Sequence, residues 1–176
     1  MTDVLAHPNP SLKMRSEEVD PTNEPDLRAL CKRMAKAMYD APGIGLAAPQ
    51  IGVMKRVIVF DLGEEAGTGL VAICNPVITE TSGECVSDEE GCLSLPGITV
   101  PVERACRITC EAVTLEGRPI RIQAEDLLAR MLQHEIDHLD GKLIIDRAEP
   151  EERKAALRRY LEVQQGGRPP HVPDEL

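Results

Sequence analysis

Apolar and polar positions divide the chain into blocks of different period. Residues 1–22 hold three prolines and little periodicity, which predicts an extended, irregular arm. From Leu27 the period becomes helical: Leu27, Leu30, Cys31, Met34 and Met38 share one face, with Arg28, Lys32, Arg33 and Lys36 turned away. Asn23-Glu24-Pro25-Asp26 offers a start, since Asn can cap and Pro is tolerated in a first turn, and Pro42-Gly43 offers a stop. Gly43 to Gln50 reads as compact backbone without bulky side chains. Arg56–Phe60 and Leu70–Cys74 read as strands around a turn from Gly63 to Gly69. Asn75-Pro76 closes the second strand, and Val77–Thr81 extends the sheet.

Ser87 to Gly97 is polar, then tight, then apolar, and is expected to be a loop entering a strand. Arg107–Leu115 alternates, with Ile108, Cys110, Ala112 and Thr114 on one side. Glu116 to Pro119 is a turn, and Ile120–Gln123 returns as the second strand of a hairpin. A second helix is predicted from Ala124 to Asp140, with Leu127, Leu128, Met131, His134, Glu135 and His138 along one broad face and Gly141 at its C-terminal end. A third runs from Pro150 to Gln165, opened by acidic residues. Strands and helices mix without a β-α-β rhythm. The expected class is therefore α+β, with antiparallel or mixed sheets around the 124–140 helix, in one domain of residues 1–165 and a mobile tail at 166–176.

Composition narrows the function. The formal net charge of −10 disfavours nucleic-acid binding by the body of the protein. Phe60, Tyr39 and Tyr160 are the only aromatics, too few for a base-stacking platform. No apolar run spans a bilayer and no secretory signal opens the chain, so the expectation is a cytoplasmic protein without a membrane partner. In that setting the six cysteines read as reduced thiols.

The chemistry gathers at Gln133-His134-Glu135-Ile136-Asp137-His138. On a helix, His134 and His138 stand one turn apart and can grip one metal ion, while Glu135 projects where it reaches a water on that ion. A third ligand is needed. A histidine spaced as in metzincins would fall at Ile144, which fails. Glu162 would serve a zinc endopeptidase, yet beside Arg158 and Arg159 it reads better as one charge on a solvated face. His7 and His171 lie in proline-flanked terminal segments. Cys92 stands out among the thiols because Gly91 lets the backbone approach a centre closely. A thiolate, two imidazoles and a water make a sensible open catalytic site.

Three stretches together resemble the motifs of peptide deformylases: Gly43 to Gln50, Glu90-Gly91-Cys92-Leu93-Ser94, and Gln133 to His138. The His7-Pro8-Asn9-Pro10 opening and Asn75-Pro76 are similar to family features, and the likeness covers roughly residues 5–147. The resemblance implies a hydrolase that removes the formyl group from N-formylmethionyl nascent polypeptides. It implies Cys92, His134 and His138 as ligands of one divalent metal, Fe(II) first, with nickel, cobalt or zinc accepted. It makes Glu135 the general acid/base, Gln50 and the Leu93 N–H the oxyanion donors, and Gly45 and Gly91 contacts for the substrate backbone. Ile44, Leu127 and Met131 are the candidates for an apolar methionine pocket. Arg130 stands where the family often has an apolar residue, and Thr99 near where some members carry a substrate-contacting arginine. In some members a basic C-terminal helix docks on the ribosome; here Arg153, Lys154, Arg158 and Arg159 supply the basic residues. A non-catalytic relative that binds formylated or nascent chains is the rival of another class; it predicts substituted catalytic positions, which are intact here.

Overall fold

The computed structural model describes residues 3–166, so the remainder of the expected tail, 167–176, and His171 with it, lies outside the described residues. The elements in order are α1 (Leu27–Asp40), β1 (Gly45–Ala47), β2 (Val57–Asp61), β3 (Leu70–Thr81), β4 (Cys85–Gly91), β5 (Thr99–Ala105), β6 (Arg107–Val113), β7 (Pro119–Glu125), α2 (Asp126–Leu139), α3 (Ile144–Arg147) and α4 (Pro150–Gln164). Five strands form one antiparallel sheet in the order β1-β2-β3-β6-β7, and β4 with β5 forms a separate two-stranded ladder. The fold is α+β.

Period-two alternation along β2 explains the layers. Val57 and Val59 turn to α1 and meet Leu30, Met34 and Met38, whereas Ile58 and Phe60 turn to the opposite face and meet Met131, Leu132 and Ile136 of α2. A third apolar cluster joins Val100 and Val102 of β5 to Leu143, Ile144, Ala156 and Tyr160, and contains Cys92. Thus α2 lies between the large sheet and the small ladder.

Several boundaries differ from the sequence expectation. Asn23 ends a 3-10 turn (Pro21–Asn23), and α1 begins at Leu27 after Asp26, with no side-chain cap bond. β3 is one strand with a register shift between Cys74 and Val77. Pro76 has no N–H for the ladder, and Asn75 takes a φ of 51° while its side chain exchanges two hydrogen bonds with Val19, at 2.9 and 2.8 Å. Ala124 belongs to β7, where it pairs with Ile108, so α2 starts two residues later than the periodicity suggests, at Asp126. The main correction concerns Cys85–Gly91: the expected loop is itself a strand, paired antiparallel with Thr99–Ala105, the strand that follows it.

All six cysteines are free, with Cys31, Cys74, Cys92 and Cys110 buried, Cys106 half-buried and Cys85 exposed. Burial pushes the Cys31 thiol up to about 11 and Cys74 to about 12. Iodoacetamide at pH 8 should therefore modify Cys85 first and leave Cys31 and Cys74 intact in the folded protein; mass mapping that found Cys74 among the early adducts would contradict this packing.

Candidate active site

α2 presents His134 and His138 on one face, both buried, and the turn that follows β4 brings in Cys92, which is fully buried. The Cys92 Sγ lies 3.4 Å from His138 Nε2, which lies 3.2 Å from His134 Nε2. Tetrahedral ligation, with metal–nitrogen and metal–sulfur distances near 2.0–2.3 Å, separates donors by about 3.3–3.6 Å, so this set fits a divalent ion. Among the described residues it is the group of such side chains that could hold one.

Burial lowers both imidazoles; at His134 the hydrogen bonds to Cys92 and Glu90 outweigh it and raise the pKa, while His138 is lowered further by the charge on His134.

Behind His134 stands a buried ionic network. Its Nδ1 lies 3.0 Å from Glu90 Oε2; a carboxylate only accepts, so Nδ1 carries the proton and the Nε2 lone pair faces the centre. Glu90 also accepts two bonds from Arg104 (2.8 and 3.0 Å) and one from Arg130 (2.7 Å). Arg104 reaches on to Asp137 at 2.7 Å, and Arg147 grips the same carboxylate at 3.0 and 2.6 Å. Arg130 further donates to the carbonyls of Val102 and Val86, tying the small ladder to α2. Its departure from the family pattern is thus accounted for by three acceptors. Glu90, Arg104, Asp137 and Arg147 were not singled out from sequence. The available signal was position: Arg104 continues the inward alternation of Val100 and Val102, and Asp137 sits among Ile136 and Leu139 on the buried helix.

Glu135 is buried, its Oε2 has no hydrogen-bond partner among the described residues, and burial pushes its carboxyl up to about 7. Gly45 passes directly over it: a Cβ there would lie 2.7 Å from Glu135 Oε1. Gly45→Ala should displace the carboxylate and lower the hydrolytic rate by about 10²-fold, the scale of a 1 Å misplacement, with little change in melting temperature. A fully active Gly45→Ala enzyme would show that Glu135 tolerates the shift.

Gln50 sits in a 3-10 turn, Ala48–Ile51, and is buried. Its Oε1 accepts from the Ala47 N–H at 2.9 Å and its Nε2 donates to Ser94 Oγ at 3.2 Å, so the amide orientation is fixed. Leu93 lies beside Ser94, with its side chain against Gly43, where a Cβ would approach within 2.7 Å. Gly45 is on β1, the edge of the large sheet, and Gly91 ends β4, paired with Thr99 on one side only. Ile44 and Met131 share the α2 cluster, Met131 being fully buried. Leu127 is 49% exposed and lines a cleft of about 210 Å³ with Val86, Asp88 and Arg130. The first turn of α2 extends beyond the core, which separates Leu127 from the other two. Glu162 is exposed on α4 and is not part of the donor group.

The polypeptide deformylase family model matches residues 1–154. A peptide deformylase of Thermodesulfovibrio yellowstonii is 45% identical over 90% of this chain and 95% of its own length, and one of Alkalilimnicola ehrlichii is 46% identical over 93% and 92%. Among solved structures, a peptide deformylase from Legionella pneumophila superposes with a TM-score of 0.84 at 40% identity, covering 92% of this chain and 94% of that one. Another from Synechococcus elongatus, in complex with actinonin, superposes with a TM-score of 0.85 at 38% identity, covering 96% and 92%. The match runs through the stretches that supply Gln50, Cys92 and the histidine helix, and it covers these relatives nearly end to end: the chain belongs to the peptide deformylase family.

Proposed function

We propose that Glu135, Gln50 and Leu93 carry out formamide hydrolysis at a centre held by Cys92, His134 and His138. The chain is a metal-dependent hydrolase that removes the N-terminal formyl group from N-formylmethionyl nascent polypeptides and releases formate. The observation that carries the residue assignment is the meeting of three metal-binding donors with the unpartnered, buried Glu135 carboxylate.

A divalent ion bound there supplies Lewis acidity, bringing the pKa of a water toward neutrality. Glu135 takes the proton of the attacking water and returns it to the departing amine nitrogen; a carboxyl held near 7 suits both transfers. The oxyanion that forms on the formyl carbon needs donors already in place. Gln50 Nε2 has one N–H beyond its bond to Ser94, and the backbone N–H of Leu93 has no acceptor among the described residues. Neither donor adds charge.

The substrate enters as an extended chain. Gly45 and Gly91 stand on free strand edges, where a peptide can pair by backbone hydrogen bonds. Ile44 is the proposed apolar contact for the methionine, backed by the fully buried Met131, whereas Leu127 lines a separate cleft and is set aside from the pocket. The domain of residues 1–165 carries all of these groups. Fe(II) is the proposed native ion, with zinc, nickel or cobalt as replacements, since one thiolate and two imidazoles suit each of them. No helix among the described residues is long and apolar enough to cross a membrane; the cytoplasm, where nascent chains are made, is the proposed location. A ribosome contact rests on the outward-facing Arg158, because Arg153 already pairs with Asp146 (3.2 Å), Lys154 with Glu151 (3.0 Å) and Arg159 with the Thr99 carbonyl (3.3 Å). Unchanged ribosome co-sedimentation of Arg158→Glu removes that contact.

Formate release from formyl-Met-Ala tests the chemistry when Cys92→Ala and Glu162→Ala are compared. Metal and activity should be lost only in Cys92→Ala. Retention of both in that variant overturns the assignment.

A further inference from the structure

The arm ahead of α1 belongs to neither sheet, yet it reaches all three stretches that build the site. The Leu5 N–H donates to the carbonyl of Gln50 at 2.7 Å, and two residues on the His7 N–H donates to the carbonyl of Ser94 at 2.8 Å. Further along, the Ser16 N–H donates to the carbonyl of Leu139 at the end of α2, also at 2.8 Å. Gly141 lies so close to the arm that a Cβ on it would come within 2.6 Å of the Lys13 carbonyl. From outside, Tyr160 of α4 donates to the His7 carbonyl at 2.8 Å and sets its ring edge against the imidazole, with centroids 5.9 Å apart.

The placement of Leu5 and His7 matters most. The Ala48–Ile51 turn and the Cys92–Leu95 turn are short pieces far apart in sequence. Their direct side-chain tie is the 3.2 Å bond from Gln50 Nε2 to Ser94 Oγ. Only two residues apart on one short segment, the Leu5 and His7 N–H groups hold both turns at one spacing.

We propose that residues 5–7 are a positioning strap for the oxyanion donors, fixing the distance between the Gln50 amide and the Leu93 N–H. This deepens the functional reading above and rests on Gln50 and Leu93 being those donors. An oxyanion hole works only when its donors stand about 2.7–3.1 Å from the developing charge, so slack between the two turns weakens the transition state more than the bound substrate. The strap's hydrogen bonds to the site go to Gln50 and Ser94, and none goes to Cys92, His134 or His138. Its loosening therefore acts on turnover and leaves the metal in place.

The test is a double-mutant cycle on formyl-Met-Ala hydrolysis, with metal content and melting temperature read on the same samples. Leu5→Pro removes the N–H and should lower kcat by about tenfold or more, with KM and metal content unchanged within about twofold. Leu5→Ala keeps the N–H and should stay within about threefold of the parent rate. In a Gln50→Ala background, Leu5→Pro should cost nothing further, because a positioning residue acts only through the group it positions. If Leu5→Pro does not fold, the full chain beginning at Ala6 takes its place in the cycle. Additive losses, a kcat loss that tracks metal loss, or equal losses in Leu5→Pro and Leu5→Ala overturn the strap. A Gln50→Ala enzyme of full activity overturns the donor assignment and the strap with it, which separates the two failures.

Discussion

Glu135→Gln should lower formate release by about 10²–10⁴-fold, the range contributed by a positioned general acid/base, while the metal content stays at the parent value. The amide matches the carboxylate in shape but can neither take the water's proton nor hand one to the amine. Metal retention is expected because the donor group is Cys92, His134 and His138, without Glu135. The substitution also relieves an unfavourable burial, since Glu135 is 1% exposed and its Oε2 has no hydrogen-bond partner among the described residues. Stability should therefore hold or rise slightly as activity falls. Steady-state formate release with elemental analysis of the same sample decides the matter: loss of metal in step with activity would assign Glu135 a ligand role instead.

Arg104→Met should be the most destabilising single change near the site. Arg104 is 5% exposed and is shared by Glu90, at 0%, and Asp137, at 8%. Removing one partner from a buried ionic group costs about 3–5 kcal/mol, because the other charges stay behind without compensation. At about 2–4 °C per kcal/mol for a chain of this size, the melting temperature falls by roughly 6–20 °C. The exposed pair Lys36–Asp40 is the control, and Lys36→Ala should leave melting nearly unchanged. The pH dependence follows from Glu90. Burial would raise its carboxyl pKa, but hydrogen bonds from His134 and Arg104 and their charges prevail and hold it well below the 4.5 of a free glutamate. A depressed carboxyl contributes stability that is complete above the unfolded value and is lost as pH falls through the folded one. Without Arg104 this loss should begin at a higher pH. An acid-unfolding midpoint that did not move would mean that Arg130 and His134 suffice to hold Glu90 ionised.

Much of this arrangement is legible in the residues. The stripe Leu27, Leu30, Cys31, Met34 and Met38 marks α1, and all five are buried as the periodicity requires. The alternation Ile108, Cys110, Ala112 marks β6, and these three side chains meet α2. The thiol chosen for its glycine neighbour is the one that the structure brings to both histidines. The small ladder is hidden for a physical reason. In β4 the inward position is Glu90, satisfied by arginines from elsewhere, and the rest of the strand faces solvent, so no apolar alternation survives. In β5, Pro101 falls between Val100 and Val102 and reads as a break, though it is tolerated on a two-stranded ladder. The arm was legible as irregular, but its bonds are made by backbone groups, which no side-chain pattern announces.

The two free edges that flank the centre belong to sheets that share no strand. A peptide paired to both would act as a temporary seam between two sheets otherwise joined through α2 and side-chain bonds such as Gln50–Ser94. Binding and release then become mechanical events as well as chemical ones, because the seam closes with each arriving chain and opens with each departing one. Amide hydrogen exchange at β1 and β4 should slow together when a non-hydrolysable peptide is bound, and recover together when it leaves.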